Sequence, residues 1–147
     1  MKFSLALPRE ALSIPVIRRV LGDALRGLGV SEDCIADILV ATCEACTNVV
    51  KHAQTTSCYE VLASVDDDRC VLKIVDKGKG LESGGGPEPG TYAESGRGIR
   101  IMQALVDDVS FDTAPERGTV VYLQKRLTWR EEALLRRLEF DLVHSGR

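Results

Sequence analysis

The chain contains no uninterrupted apolar run approaching 18 residues, so nothing in it reads as a membrane-spanning helix. Its opening residues, Met1-Lys2-Phe3-Ser4-Leu5-Ala6-Leu7-Pro8, lack the apolar region and cleavage site of an export signal, which predicts a cytoplasmic location. Positive charge is not in excess: 19 Lys and Arg stand against 22 Asp and Glu, a net charge of −3, and this does not suggest a nucleic-acid surface. There are two histidines, and neither His52 nor His144 sits in a pattern suited to carrying a phosphoryl group. The familiar phosphate fingerprints are missing too. There is no G-x-x-x-x-G-K-[ST], and Gly78-x-Gly80 is followed by Ser83 where the dinucleotide pattern needs a third glycine. The five cysteines include one C-x-x-C pair, Cys43 and Cys46, but Cys58 and Cys70 lie too far apart to complete a zinc site. The pair falls in the middle of a predicted helix, away from the terminal dipole that lowers a thiol pKa, so reduced packing thiols are expected.

At 147 residues, 44% hydrophobic and 28% charged, the chain has the balance of one soluble domain with its own core. Phe3, Leu5 and Leu7 alternate as a first strand that Pro8 ends. A helix starts near Ser13 and carries Ile14, Ile17, Leu21, Ala24, Leu25 and Leu28 before Gly27 and Gly29 close it. Ser31 is an N-cap for a long helix that runs to Ala53, with Glu32 and Asp33 in its first turn. Tyr59 to Val65 and Cys70 to Val75 form a hairpin around Asp66-Asp67-Asp68, and Asp76 stands at its end. Residues 82 to 90 resist regular structure. Ile99, Met102, Leu105 and Val106 mark a short helix, and strands follow at Val109 to Asp112 and Thr119 to Leu123 around a turn at Ala114 to Gly118. Thr128-Trp129-Arg130-Glu131 has the form of a capping box ahead of a final helix with Leu134, Leu135, Leu138 and Leu142 on one side.

The order β-α-α-β-β-α-β-β-α, without internal repeats, predicts an α+β two-layer sandwich: a mixed, mostly antiparallel sheet with helices on one face. Residues 1–126 are expected to form the domain and 127–147 a C-terminal helical extension.

The long helix carries the chemistry. Ile35, Ile38, Leu39, Thr42, Cys46, Val49, Val50 and Ala53 share one side and predict its core stripe. Asp37, Ala41, Glu44, Asn48 and His52 follow one another at three- and four-residue steps on the other side. By themselves these polar residues describe a solvated face. Three glycine-bearing stretches downstream give them another meaning: Asp76-Lys77-Gly78-Lys79-Gly80, Gly96-Arg97-Gly98-Ile99, and Gly118-Thr119.

Together with Glu44 and Asn48, these stretches resemble, in order and spacing, the nucleotide-binding boxes of the GHKL ATPase superfamily. Within it, the compact chain resembles the anti-sigma-factor serine kinases over residues 3 to 126. The resemblance implies the histidine-kinase-like (Bergerat) ATP-binding fold and two cofactors, ATP and Mg²⁺. Asn48 would be the metal ligand, its amide oxygen sufficing for an ion that keeps most of its waters. Glu44 would be the catalytic base that orients a serine hydroxyl. Asp76 would accept the adenine amino N–H, Gly78 and Gly80 would let the backbone close around the base, and Thr119 would add a hydroxyl. Gly96, Arg97, Gly98 and Ile99 would open a helix toward the phosphates, beneath a lid formed by residues 82–98. The implied partners are a sigma factor and an anti-anti-sigma antagonist whose serine or threonine is phosphorylated; similar proteins tend to dimerise.

One position departs from the pattern. Some kinases of this type carry an arginine two residues before the first glycine of the second box, and Glu94 stands there. That departure motivates an alternative, a nucleotide-gated protein-binding module with little or no phosphotransfer. A third reading is the ATP domain of a histidine kinase acting in trans.

Overall fold

A computed structural model describes residues 1–51, 58–76, 89–114 and 118–145. The elements are β1 (Lys2–Leu7), α1 (Ser13–Leu28), α2 (Glu32–Lys51), β2 (Tyr59–Val65), β3 (Arg69–Asp76), α3 (Pro89–Leu105), β4 (Asp108–Ala114), β5 (Gly118–Arg126) and α4 (Glu131–Ser145). This is the order read from the sequence. The five strands lie in the order β1-β2-β3-β5-β4, and each of the four pairings is antiparallel.

Alternation gives the sheet one dry face. Val61, Ala63 and Val65 of β2, Cys70, Leu72 and Ile74 of β3, and Val121 and Leu123 of β5 are buried, while most of the residues between them are partly exposed. Helix α2 lies against β3 and β5 and is flanked by α1 and α3. Being covered from more than one side, it buries Ala41 and Ala45 as well as the predicted stripe of Ile35, Ile38, Leu39, Thr42, Cys46 and Val49. Ala41, read as part of the polar face, is fully buried.

Local chemistry sets the turns. The Asp66 carboxylate accepts the backbone N–H of Asp68 and of Arg69, each at 2.8 Å, which closes the β2–β3 hairpin and holds that carboxyl below its ordinary range. Gly29 ends α1 at φ 93°, donating its N–H toward the carbonyls of Arg26 and Leu25. Ser31 caps α2 as expected: its hydroxyl accepts the Cys34 N–H at 3.4 Å and its carbonyl accepts the Ile35 N–H at 2.9 Å.

Two local expectations are corrected. Thr128 does not cap the last helix, because its hydroxyl pairs with that of Ser31 and α4 begins only at Glu131. The segment before α4 is bound instead to the α1–α2 corner, where Ser31 N–H donates to the Thr128 carbonyl and Arg130 N–H to the Gly29 carbonyl, both at 2.8 Å. Beyond that anchor Leu134, Leu135, Leu138 and Leu142 are 43 to 73% exposed and do not pack back on the sheet.

The second correction concerns α3, which begins at Pro89 and not at Ile99. Proline suits a first helical turn, since its missing N–H would be unpaired there anyway. Gly96-Arg97-Gly98 therefore lies inside the helix, where its amides are occupied by helical hydrogen bonding, and does not open the helix toward phosphates.

Candidate functional site

The site is built where α2 meets α3. Helices approach closely only where side chains leave room, and Gly98 is the buried residue of α3 that does so. A Cβ placed on it would lie 3.2 Å from Glu44 Oε2, 3.4 Å from Asn48 Nδ2 and 3.7 Å from Asn48 Oδ1. The carboxylate and carboxamide of α2 are thus held one turn apart and half-buried, directly against the backbone of α3. Ile99, next in the chain, packs against the core, whereas Arg97 and Arg100 point to solvent. A Cβ on Gly96 would meet nothing within 4 Å.

Lys125 of β5 fixes this arrangement from beneath. Its Nζ donates to the Leu105 carbonyl at 2.7 Å, at the C-terminal end of α3, and reaches Asp37 Oδ2 on α2 at 3.4 Å. One ammonium thereby ties β5, α2 and the last turn of α3 together, and it is well placed for the negative end of the α3 dipole. Sequence inspection assigned Lys125 no role.

The second half of the site lies at one end of the sheet. Strand register aligns Leu7 with Tyr59, Tyr59 with Asp76, and Asp76 with Thr119. Each of the last three continues the buried, helix-facing alternation of its strand, so Asp76 and Thr119 stand side by side on the face toward the helices. Tyr59 links this row to the helical layer: its hydroxyl bonds Ser13 Oγ of α1 at 2.6 Å. Cys46 lies between Glu44 and Asn48 in the chain. Burial pushes the Cys46 thiol up to about 12 and raises Tyr59 likewise, so both are neutral hydrogen-bonding groups at neutral pH.

Arg9, like Lys125, is a residue that sequence reasoning missed. It follows Pro8 at the end of β1, and its side chain is only 3% exposed. Its Nη2 meets Asp76 Oδ1 in an ion pair, and burial lowers the guanidinium pKa from its usual value. A lone arginine after a proline carries no signal in the sequence. Only the register, which brings the ends of β1, β2 and β3 together, places it beside an aspartate 67 positions away.

Of the residues expected at the site, Glu44, Asn48 and Gly98 are brought together, and Asp76 and Thr119 form an adjacent pair. Gly78, Gly80 and His52 lie outside the described residues, as do positions 82–88 of the expected lid; positions 89–98 of that lid are helical, and the Glu94 side chain is not among those described. Among the described residues no group of three His, Cys, Asp or Glu could hold a metal on protein ligands alone, and the free thiols form no such cluster.

The chain is similar in sequence and fold to known proteins. Residues 7–125 fit the family model described as the histidine kinase-like ATPase domain. The chain is 28% identical over 120 residues to the serine-protein kinase RsbW of Bacillus cereus (strain Q1), covering 74% of this chain and 75% of that protein. It is 33% identical over 105 residues to the anti-sigma F factor of Bacillus subtilis (strain 168), covering 65% and 72% respectively. Among solved structures, the RsbU and RsbW domains of a Mycobacterium tuberculosis protein superpose with a TM-score of 0.69 at 22% identity, over 86% of this chain and 32% of that one. With a family model that begins at Leu7, the last residue of β1, and runs through the other four strands to residue 125, the chain belongs to the histidine kinase-like ATPase domain family.

Proposed function

We propose that this protein is an ATP-dependent serine/threonine kinase and anti-sigma-type regulator that phosphorylates an anti-anti-sigma partner. The observation that carries the reading is the seating of Gly98 against Glu44 and Asn48, which puts the acid and the amide on one wall beside α3. A family relationship to proteins named as a serine-protein kinase and an anti-sigma factor supports the choice of reaction and partner.

In this reading Asp76 and Thr119 recognise the base. A carboxylate accepts the amino hydrogen that adenine offers and guanine does not, and the Thr119 hydroxyl shares that edge directly or through water. Gly78 and Gly80, which lie outside the described residues, would let the backbone close around the base. Asn48 would hold Mg²⁺ through its amide oxygen, the other ligands of such an ion being phosphate oxygens and water. Bound there, the ion would neutralise developing charge on the phosphates. Arg97, exposed on α3 beside Gly96, supplies positive charge from the rim, and Gly98 and Ile99 set the helix position.

Glu44 is the base. It takes the proton of the partner's serine or threonine hydroxyl as that oxygen attacks the γ-phosphorus; the bond from the γ-phosphorus to the bridging oxygen breaks, and ADP carries the electron pair away. A cytoplasmic setting would give it access to ATP; no helix among the described residues is long and apolar enough to cross a membrane. Residues 127–147 act as an extension to the domain, anchored through Thr128 and Arg130.

The test is transfer of labelled γ-phosphate from Mg-ATP to candidate antagonist proteins. Label on serine or threonine that disappears with Glu44→Gln supports the proposal. The second reading, a nucleotide-gated binding module, is favoured by Glu94 at the position where some kinases of this type carry arginine. It predicts that Glu44→Gln leaves nucleotide-dependent partner binding intact and that no antagonist is ever labelled.

A further inference from the structure

The Arg9 side chain is 3% exposed and lies at the end of the sheet where the base is read, and the mechanism above gives it no task. Its partner Asp76 offsets the charge through an ion pair with Nη2, but neither the buried Nη2 nor the buried Nε has a hydrogen-bond acceptor of good geometry among the described residues. A buried N–H without an acceptor is costly, and such groups are retained where something else supplies the acceptor.

The segment that carries Arg9 is short and pinned. Glu10 N–H donates to the Pro8 carbonyl at 2.8 Å, Ser13 N–H to the Glu10 carbonyl at 2.9 Å, and Ser13 Oγ to that same carbonyl at 2.8 Å. Ser13 in turn is held by Tyr59, the neighbour of Asp76 in the sheet. Arg9 is therefore set in place by the fold, which suits a recognition group better than a side chain that must swing aside.

We propose that Arg9 is a specificity-determining residue that reads the base together with Asp76, its guanidinium donating to a purine ring nitrogen next to the amino group that Asp76 accepts. This rests on the nucleotide-site reading above and deepens it. The pair presents one acceptor and one donor side by side. Adenine offers the complement, an amino donor flanked by the acceptors N1 and N7. Hypoxanthine, with an oxygen at C6 and a hydrogen on N1, reverses the match on the N1 side. Sites that hydrogen-bond a substrate in this way reject analogues that leave their buried groups unpaired.

The experiment is a calorimetric comparison of ATP, 1-deaza-ATP, 7-deaza-ATP and ITP on the wild-type protein, Arg9→Ala and Arg9→Lys, with circular dichroism to confirm folding. The expected result has three parts. Arg9→Ala binds ATP about 10-fold or more weakly. Wild-type protein discriminates against one of the two deaza nucleotides, and Arg9→Ala loses that discrimination. Arg9→Lys, which keeps a charged donor, restores part of the affinity. Unchanged or tighter ATP binding by Arg9→Ala overturns the proposal, tighter binding meaning that Arg9 competes with the base for Asp76. If Arg9→Ala fails to fold, deaza discrimination in the wild type and its reduction in Arg9→Lys decide the matter, and absence of discrimination overturns it. Failure of the wild type to bind any nucleotide overturns the site reading itself and this inference with it.

Discussion

Glu44 Oε2 lies 3.2 Å from where a Cβ of Gly98 would stand, so the acid of α2 and the backbone of α3 share one contact with no spare volume. Gly96, two residues earlier on the same helix, faces open space. The two glycines should therefore respond oppositely. Gly96→Ala relieves the entropic cost of a helical glycine and is expected to stabilise the protein by about 0.5–1 kcal/mol in urea unfolding. Gly98→Val forces α3 off Glu44 and Asn48 and is expected to destabilise by about 1–3 kcal/mol and to weaken nucleotide binding at least 10-fold. Equal behaviour of the two variants would contradict the packing described.

Lys125 should matter more than a surface lysine. Replacing it with Met keeps much of its bulk but leaves the Leu105 carbonyl without its 2.7 Å partner and Asp37 without a counter-charge. The expected cost is about 1–2 kcal/mol, together with faster hydrogen exchange in the last turn of α3. A change within a few tenths of a kcal/mol would show that the ammonium is not holding the layers together.

Tyr59 and Ser13 form a buried hydroxyl pair between β2 and the start of α1. Tyr59→Phe removes one partner and should cost about 1–2 kcal/mol. Because Ser13 also anchors the Arg9 segment, the same change should reduce ATP affinity without altering Mg²⁺ dependence. Calorimetry on the folded variant measures both.

Alkaline pH should unfold the protein earlier than its net charge alone suggests. Burial pushes the thiols of Cys46 and Cys70 from 9.0 up to about 12. Between those values the unfolded chain has released protons that the folded chain keeps, so stability falls as pH rises, by about 1.4 kcal/mol per pH unit for each thiol. Below pH 8 that contribution is fully present. Urea midpoints under reducing conditions should decline from pH 9 to 10.5, less steeply in Cys70→Ala; a flat profile would contradict thiol burial.

Much of this was legible in the sequence, for physical reasons that can be named. The period of two in Tyr59 to Val65 and the three- and four-residue spacing from Ile35 to Val49 follow directly from burying one face, and the nine elements came out in the right order. Glu44 and Asn48 stand out in the sequence by their one-turn spacing on a helix, and Asp76 and Thr119 by the glycine-bearing stretches beside them; their roles belong to the proposed function. What was hidden depends on contacts between distant segments. Gly98 looked like a helix start because glycine usually interrupts helices; the start at Pro89 was obscured by the glycine- and proline-rich residues before it. Arg9 needed the register of three strands to be found at all. The Thr128 capping pattern was overridden by a hydroxyl partner, Ser31, 97 positions away.

The central claim is that one adenine nucleotide is held between the Asp76–Thr119 end of the sheet and the Glu44–Asn48 wall. Calorimetric titration of ATP, with and without Mg²⁺, on wild type, Asp76→Asn and Asn48→Ala tests it most directly. The account predicts Mg²⁺-dependent binding at one site per chain, weakened 10-fold or more by either substitution, with Asn48→Ala also losing the Mg²⁺ dependence. Wild-type protein that binds no ATP, or variants that bind it as tightly as wild type, would contradict it.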